Sequence, residues 1–259
     1  YTETIQKPYG FILITGPTGS GKSTTLYASL AKLNSVDKNI ITLEDPIERR
    51  MDGLNQIQMN AKAGMTFASG LRSILRSDPD IIMVGEIRDF ETAKIAVESA
   101  LTGHLVLSTL HTNDAVGAVS RLGDMGVERY LTSSALAGVV AQRLMRKLCP
   151  NCKKPEVLSR DEVMKAIPDF PIEDDEQEVT LYQPRGCMLC NQTGYKGRVG
   201  IYEFMRVDET IQRMIITGAS SNELLKYSVA NGMITMRMDG LIKVKKGISS
   251  LQELLRVMI

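Results

Sequence analysis

Near its beginning the chain reads Phe11-Ile12-Leu13-Ile14-Thr15-Gly16-Pro17-Thr18-Gly19-Ser20-Gly21-Lys22-Ser23-Thr24. An apolar run passes here into a loop of small residues that fills every fixed position of the pattern G-x-x-x-x-G-K-[ST]. We expect a buried strand, this loop and then a helix, with backbone N–H groups of the loop surrounding a β-phosphate at the positive end of the helix. Lys22 then places its charge on the β- and γ-phosphates, and the Ser23 hydroxyl becomes a ligand for Mg²⁺. The stretch therefore predicts binding of a nucleoside triphosphate rather than a chance glycine-rich turn.

The composition favours a water-soluble protein with no strong overall charge. The 259 residues suffice for one large domain or for a domain with a smaller appendage, and 31 lysines and arginines face 30 aspartates and glutamates. Such a balance disfavours a DNA helicase. No apolar run is long enough to cross a bilayer and no signal-peptide pattern is present, so we expect a cytoplasmic chain. Because the chain opens at Tyr1 without a methionine, we expect it to be a piece of a longer protein.

β-rich runs alternate with amphipathic helical segments from residue 10 to about residue 148, which predicts an α/β domain with a largely parallel sheet. The predicted strands are 11–15, 40–44, 81–85 and 105–109. Thr66 precedes a predicted helix, and Asp89 is a predicted cap of another helix that Gly103 ends.

The later part of the chain changes in composition. Residues 153–179 are acidic and contain proline, although Ser159 and Glu162 fit a capping box. Helical spacing returns after Gly200. We predict an ATPase core over 1–145, a cysteine-rich subdomain over 146–200 and a C-terminal helical part over 201–259.

Two carboxylates follow predicted strands at the edge where a phosphate would bind. Glu86 ends one apolar run and Glu44 ends another, and ligands of open α/β sheets lie beyond the carboxyl ends of the strands. Hydrolysis needs a carboxylate that orients or deprotonates a water at the γ-phosphate. Val84 or Gly85 stands where an aspartate usually helps to hold Mg²⁺, which leaves the metal mainly to Ser23. A helix cap or a surface charge is the alternative for each glutamate.

The chain has two histidines, which flank one predicted strand. His111 follows its carboxyl end together with Thr109 and Asn113, all able to donate hydrogen bonds to a phosphate. His104 precedes its amino end and is the weaker candidate. An ordinary surface or core histidine is the alternative for both.

These motifs resemble the secretion ATPase superfamily, and within it the motors of type II secretion and type IV pilus assembly. The resemblance covers nearly the whole chain and rests on the phosphate loop and on residues 44–48 (EDPIE), 78–80 (DPD), 85–89 (GEIRD), 102–104 (TGH) and 111–112 (HT). It implies a RecA-like P-loop NTPase fold, phosphate and Mg²⁺ bound at Lys22 and at Ser23 or Thr24, and ATP as the nucleotide. It also implies Glu86 as the catalytic glutamate, Glu44 as a water-orienting partner and His111 as a γ-phosphate sensor.

Arginines at subunit interfaces neutralise the transition state in such motors. Arg72 and Arg76 stand four residues apart on a predicted helix, and Arg88 and Arg121 resemble interface arginines of the family. A solvated surface charge is the alternative for each of them. The remaining arginines of the family belong to an upstream domain, so we expect weak hydrolysis by this chain alone.

All four cysteines form two C-x-x-C pairs, Cys149/Cys152 and Cys187/Cys190. Two such pairs predict a closed tetrahedral zinc site with a structural role, since no position remains open for a substrate. Nearby basic residues can offset the charge of four thiolates: Arg146, Lys147, Lys153 and Lys154. The assembly motors of the family resemble this chain in carrying a tetracysteine insert.

The resemblance implies a hexameric motor that is peripherally associated with the inner membrane and drives pilin or pseudopilin assembly through a membrane platform protein. The apparatus stays open among type II secretion, pilus extension and DNA uptake. A RecA-type nucleic-acid translocase is the rival, but balanced charge and 5% aromatic residues disfavour it, and we expect no nucleic-acid partner. A nucleotide-gated binding module without turnover is a third reading, which Glu44 and Glu86 disfavour.

Overall fold

A computed structural model describes residues 1–258. Ile259, the last residue of the predicted helical part, lies outside this range. The strands are β1 (Gly10–Thr15), β2 (Ile40–Glu44), β3 (Asn55–Gln58), β4 (Ile81–Val84), β5 (Leu105–Leu110), β6 (Leu136–Leu148), β7 (Lys154–Ser159), β8 (Glu178–Gln183) and β9 (Tyr195–Arg206). The helices are α1 (Thr2–Ile5), α2 (Lys22–Leu33), α3 (Phe67–Ile74), α4 (Phe90–Leu101), α5 (Gly117–Asp124), α6 (Arg129–Ala135), α7 (Arg160–Ala166), α8 (Glu209–Thr217), α9 (Ser221–Ala230), α10 (Met236–Lys245) and α11 (Leu251–Met258).

The chain divides into two compact units. One comprises residues 1–141 and 204–233, and the other comprises residues 142–203 and 234–259. The boundaries lie a few residues from the predicted ones at 145 and 200, and the predicted C-terminal part is shared between both units.

Strands β1 to β5 of the predicted parallel sheet lie in the first unit, which confirms the α/β class. The strand order is β3-β2-β4-β5-β1-β6-β9, and the pairs β2–β3, β2–β4, β4–β5, β5–β1 and β1–β6 are parallel. Every residue of β1, β2, β4 and β5 is buried, as expected for strands covered on both faces. The carboxyl ends align, because Leu43 pairs with Val84, Val84 with Ser108, and Ile14 with Thr109.

The core of this unit joins the strands to the helix after the phosphate loop. Leu26 and Leu30 of α2 pack with Ile12, Met83 and Leu107 in one buried cluster. Burial of each such side chain contributes about 1.5–3 kcal/mol relative to exposure. The cluster therefore fixes the start of α2 against the carboxyl edge of the sheet.

Local signals place the other helices as predicted. The Thr66 hydroxyl accepts a hydrogen bond from the Ser69 N–H and begins α3, and an Asp89 oxygen accepts one from the Thr92 N–H and begins α4. Gly103 follows α4 with φ 112°, a left-handed conformation that glycine adopts without strain. Thr66 and Asp89 thus determine where α3 and α4 begin, and Gly103 lies where the chain leaves α4.

The helices predicted after Gly200 begin only at Glu209, the first residue of α8, because β9 continues to Arg206. Ile201, Glu203 and Met205 are buried in alternation along β9. Because the inward residue Glu203 is charged, the sequence of β9 does not show the alternation of apolar and polar residues that predicts a strand.

The second unit holds the antiparallel pair β7–β8, in which Lys154 lies opposite Gln183 and Ser159 opposite Glu178. Helix α7 follows β7 with the predicted capping box of Ser159 and Glu162. The unit also contains both cysteine pairs.

Candidate active site

The glycine-rich loop follows β1 as predicted and carries the chain into α2. Gly16, Gly19 and Gly21 have positive φ values of 144°, 79° and 90°, so the loop curls in a way that side chains would strain. Gly16 and Ser20 are buried, while the central residues Pro17 to Gly19 are exposed to solvent. The first turn of α2 therefore points its free N–H groups toward an accessible loop, which is a favourable place for a phosphate.

Lys22 is the first residue of α2 and folds back over the loop. Its Nζ donates hydrogen bonds to the carbonyl oxygens of Gly16 at 2.8 Å and Pro17 at 3.2 Å. Burial lowers the pKa of Lys22, and the charge of Glu86 opposes that shift. The ammonium group is thus held at the loop by weak neutral acceptors that a phosphate can replace.

Glu86 is held firmly at the carboxyl end of β4. Thr109 fixes the backbone on both sides, since its hydroxyl donates to the Gly85 carbonyl at 2.8 Å and its carbonyl accepts from the Ile87 N–H at 3.0 Å. The expectation that this hydroxyl faces a phosphate is therefore wrong, because it is buried and bonded to the neighbouring strand. Its effect is to position Glu86.

The carboxylate of Glu86 has two basic side chains as neighbours. Arg88 Nη2 lies 2.5 Å from Glu86 Oε1, and His111 Nε2 lies 3.8 Å from Glu86 Oε2. Burial lowers the pKa of His111, the charges of Lys22 and Arg88 lower it further, and Glu86 opposes them. The structure thus brings Lys22, Glu86 and His111 into one electrostatic cluster, as the sequence predicts.

Glu44 ends β2 at the same edge but turns into the protein. It is 4% exposed. Its Oε1 accepts hydrogen bonds from Thr42 Oγ1 at 2.6 Å and Gln56 Nε2 at 3.1 Å, and its Oε2 accepts one from the Tyr27 hydroxyl. Both carboxylate oxygens are therefore engaged by protein donors, and the water-orienting role of Glu44 stays a prediction.

Sequence reasoning gave no role to Glu48, four residues later in the same loop. Its Oε1 accepts a hydrogen bond from the Ser23 hydroxyl at 2.8 Å. The signal was present, because a third carboxylate in a loop after a parallel strand lies at the ligand-binding edge. Thr24, the alternative to Ser23 as a metal ligand, is exposed.

The four cysteines come together in the second unit, where their sulfur atoms all lie within 4.8 Å of one another. The Sγ–Sγ distances are 3.9 Å for Cys149–Cys187, 3.8 Å for Cys152–Cys190 and 3.7 Å for Cys187–Cys190. Four thiolates about 2.3 Å from a central Zn²⁺ in a tetrahedron are about 3.8 Å apart, so this cluster fits a metal of that size.

Polar neighbours donate hydrogen bonds to the sulfur atoms of this cluster. The backbone N–H of Gly186 donates to Cys152 Sγ at 3.3 Å, and that of Gly194 donates to Cys190 Sγ at 3.3 Å. A hydrogen bond from Asn151 lowers the pKa of Cys187 to about 6, while burial raises that of Cys152 to about 11. The donors compensate part of the negative charge that four thiolates carry on one metal ion.

Residues 1–256 match the family model described as Type II/IV secretion system protein. The chain belongs to this family. It is 53% identical over 257 residues to the Type II secretion system ATPase E of Vibrio cholerae, covering 99% of this chain and 50% of that protein. It is 52% identical over 254 residues to the Type IV pilus assembly ATPase PilB of Myxococcus xanthus, covering 98% and 44%.

The crystal structure of the pilus retraction motor PilT with bound ADP superposes with a TM-score of 0.71 at 31% sequence identity, covering 99% of this chain and 63% of that chain. This likeness confirms the predicted resemblance at the level of the fold. The chain spans about half the length of the curated relatives that it matches.

The remaining predicted residues of the family pattern contact other partners or are exposed. Arg72 forms an ion pair with Glu91 at 2.5 Å, and Arg76 donates to the Arg72 carbonyl at 3.1 Å. Arg121 is an exposed residue of α5. His104 precedes β5, opposite to the phosphate edge, where its Nδ1 is 3.0 Å from the Ser99 carbonyl oxygen. Interface or sensor roles for these residues stay predictions.

None of the helices in residues 1–258 combines the length and apolar character that crossing a membrane requires.

Proposed function

We propose that this chain is the Mg-ATP-hydrolysing motor part of a secretion ATPase that powers pilus or pseudopilus assembly in type IV pili or type II secretion. The observation that carries the proposal is the clustering of Glu86, His111 and the phosphate-loop lysine Lys22 at one edge of the sheet. Family membership and the ATPase names of the relatives support it.

Binding of ATP uses groups that the loop already presents. The N–H groups at the start of α2 surround the β-phosphate, and Lys22 exchanges the carbonyls of Gly16 and Pro17 for phosphate oxygens. Anionic phosphate oxygens then replace neutral carbonyl oxygens as acceptors of the ammonium group, which favours the exchange. The ADP seen in the PilT structure supports a nucleotide of this class.

The donor set at Ser23 fits Mg²⁺, which prefers hard oxygen ligands and keeps several waters. The Ser23 hydroxyl and the Glu48 carboxylate offer two such oxygens 2.8 Å apart. Bound Mg²⁺ neutralises charge on the phosphate oxygens. Because Val84 or Gly85 stands where an aspartate would assist, Ser23 and Glu48 are the protein groups that we assign to the ion.

Glu86 serves as the general base of hydrolysis. Its carboxylate takes a proton from a water whose oxygen attacks the γ-phosphorus, and the bond from that phosphorus to the β–γ bridging oxygen breaks, releasing ADP. His111, kept neutral near pH 7 by its lowered pKa, can donate a hydrogen bond to the transferred phosphoryl group. Lys22 stabilises charge on the leaving oxygen.

The assembly context rests on the relatives. The names of the Type II secretion system ATPase E and the Type IV pilus assembly ATPase PilB support a motor of a secretion or pilus system, and we propose that it works on the cytoplasmic side of the inner membrane. We propose a hexameric ring in which Arg72, Arg76 and Arg121 face neighbouring subunits, and a platform protein of the inner membrane as partner. For the cysteine cluster we propose one structural Zn²⁺, supported by its sulfur separations.

The test compares ATP turnover and nucleotide binding in purified protein. Glu86→Gln should keep ATP affinity but lose turnover by about a hundredfold or more, because it removes the proton acceptor. Lys22→Ala should lose binding itself. Glu209→Gln is the matched control, since Glu209 is 88% exposed.

Assays with and without single-stranded DNA separate the rival function. Unchanged rates support the secretion motor, while marked stimulation by DNA would favour a translocase. Full turnover by Glu86→Gln would contradict the assignment of the base.

A further inference from the structure

One hydroxyl group links the phosphate-loop helix to the loop that follows β2. Tyr27 lies one turn after Ser23 in α2, so both side chains share a face of the helix. The Tyr27 hydroxyl accepts hydrogen bonds from the backbone N–H groups of Glu48 at 3.1 Å and Arg49 at 3.3 Å, and it donates to Glu44. Tyr27 as a whole is 8% exposed.

The position of this hydroxyl is fixed by its acceptor. Glu44 is buried and is held from its other side by Thr42 and Gln56. A buried polar network in which each member is satisfied is rigid, because breaking any bond leaves an unpaired group in a poorly solvated place. The Tyr27 hydroxyl therefore has one favoured position. Because it accepts hydrogen bonds from the N–H groups of Glu48 and Arg49, it also holds the backbone at Glu48 in place.

The exposed Glu48 carboxylate is placed by this backbone anchor. No backbone–backbone hydrogen bond of the described chain ties the N–H of Glu48, which goes to Tyr27 instead. From there the side chain reaches the Ser23 hydroxyl at 2.8 Å. The connection thus runs from Glu44 through Tyr27 to Glu48 and ends on the hydroxyl that we assign to Mg²⁺.

We infer that Tyr27 is a positioning residue that holds the Glu48 carboxylate at Ser23, so that the affinity of the nucleotide site for Mg²⁺ depends on the Tyr27 hydroxyl. This inference rests on the proposed function. It differs from a purely structural role of Tyr27, in which loss of the hydroxyl would lower stability and leave the magnesium dependence of binding unchanged.

The experiment measures binding of a fluorescent ADP analogue as Mg²⁺ is titrated, and repeats it in excess chelator. Tyr27→Phe keeps the buried ring and removes the hydroxyl. We expect the Mg²⁺ concentration at half-saturation to rise about fivefold or more, as loss of one or two hydrogen bonds implies, with unchanged affinity in chelator. Tyr130→Phe is the control, because Tyr130 is 57% exposed.

A second variant, Glu48→Gln, completes a double-mutant cycle. Because Glu48 is exposed, this change should not affect folding. If Tyr27 acts through Glu48, both single variants raise the half-saturating Mg²⁺ concentration, and the double variant raises it no further than Glu48→Gln alone.

The possible outcomes distinguish failure of the positioning role of Tyr27 from failure of the proposed function. If Tyr27→Phe does not change the half-saturating Mg²⁺ concentration, or if the effects of the two substitutions on it add in the double variant, Tyr27 has no positioning role, and the proposed function is left intact. An unshifted Glu48→Gln overturns the placement of Glu48 at the ion. If the unsubstituted protein binds the ADP analogue equally with and without Mg²⁺, the roles of Tyr27 and Glu48 at the ion both fail, whereas the proposed function fails only if the protein does not hydrolyse ATP.

Discussion

Arg88 Nη2 lies 2.5 Å from Glu86 Oε1, in an ion pair whose arginine side chain is 70% exposed and whose glutamate side chain is 16% exposed. The hydrogen bond with Glu86 raises the pKa of Arg88. Exposed ion pairs stabilise a fold by only about 0–1 kcal/mol. The pair can nevertheless fix the orientation of the carboxylate, leaving Oε2 directed to the side of His111.

Replacing Arg88 by alanine should therefore affect turnover more than stability. We expect kcat to fall about tenfold, because Glu86 loses the group that restricts its rotation, and nucleotide affinity to stay unchanged. The melting temperature should hardly move. Arg213→Ala removes another exposed pair, with Glu209, and serves as the control for loss of a surface charge. An unchanged kcat in Arg88→Ala would show that Glu86 needs no such support.

The environment of His111 predicts a pH effect of defined sign. Burial and the charges of Lys22 and Arg88 lower its pKa below the ordinary 6.5, although Glu86 opposes them. The folded state therefore binds the second imidazole proton of His111 less tightly than the unfolded state does. The free energy of unfolding consequently rises with pH between the lowered pKa of the folded state and the ordinary value of 6.5. Above it the imidazole is neutral.

NMR titration can test the His111 prediction directly, because the chain has only two histidines. In a His104→Gln background the remaining imidazole signal belongs to His111. Its midpoint should lie below 6.5. A midpoint above that value would mean that Glu86 dominates the local field and that His111 is charged when it meets the nucleotide.

The cysteine cluster predicts metal-dependent stability. Purified, reduced protein should contain about one equivalent of zinc, and a strong chelator should lower the unfolding temperature. Cys190→Ser should weaken metal retention, because a hydroxyl is a poorer zinc ligand than a thiolate. Substitution by Co²⁺ should give the intense visible absorption of a tetrahedral thiolate site. Far less than one equivalent of zinc in fresh protein would contradict the proposal.

The sequence could predict the phosphate edge because three regularities coincide there. The glycine-rich loop identifies β1, parallel strands align their carboxyl ends, and polar residues after those strands then lie together. For Glu86 and His111 the prediction depends on one condition that the sequence leaves open, namely that their strands lie close to β1 in the sheet. Their clustering near Lys22 follows from the order and direction of the strands alone.

The sequence could not predict which way a carboxylate turns at that edge. Glu44 points inward because Tyr27, Thr42 and Gln56 converge on it, and these three donors come from α2, β2 and β3. Glu48 points to Ser23 because of the same tyrosine. Such choices depend on contacts between distant segments, which periodicity and spacing do not encode.

Glu253 shows the same limit in the second unit, where a charged residue of α11 is fully buried. Its carboxylate accepts hydrogen bonds from Arg146 Nη2 at 2.6 Å and Arg256 Nη2 at 2.7 Å, and also from the Arg146 N–H at 2.9 Å. The Arg146 guanidinium lies 4.1 Å from the centre of the Tyr195 ring. The helical pattern gave no sign that this glutamate faces inward.

The final prediction concerns acid stability. Burial raises the pKa of Glu253, but hydrogen bonds from Arg256 and Arg146 outweigh it and hold the pKa at about 2, against 4.5 ordinarily. This stabilisation, on the order of 3 kcal/mol, is complete above the ordinary pKa and is lost as pH falls through the folded one. Glu253→Gln should therefore lower the unfolding free energy near neutral pH, and its difference from the unsubstituted protein should shrink toward pH 2. Chemical denaturation at several pH values, with the exposed Glu209→Gln as control, measures this; a difference independent of pH would show that packing rather than charge holds Glu253.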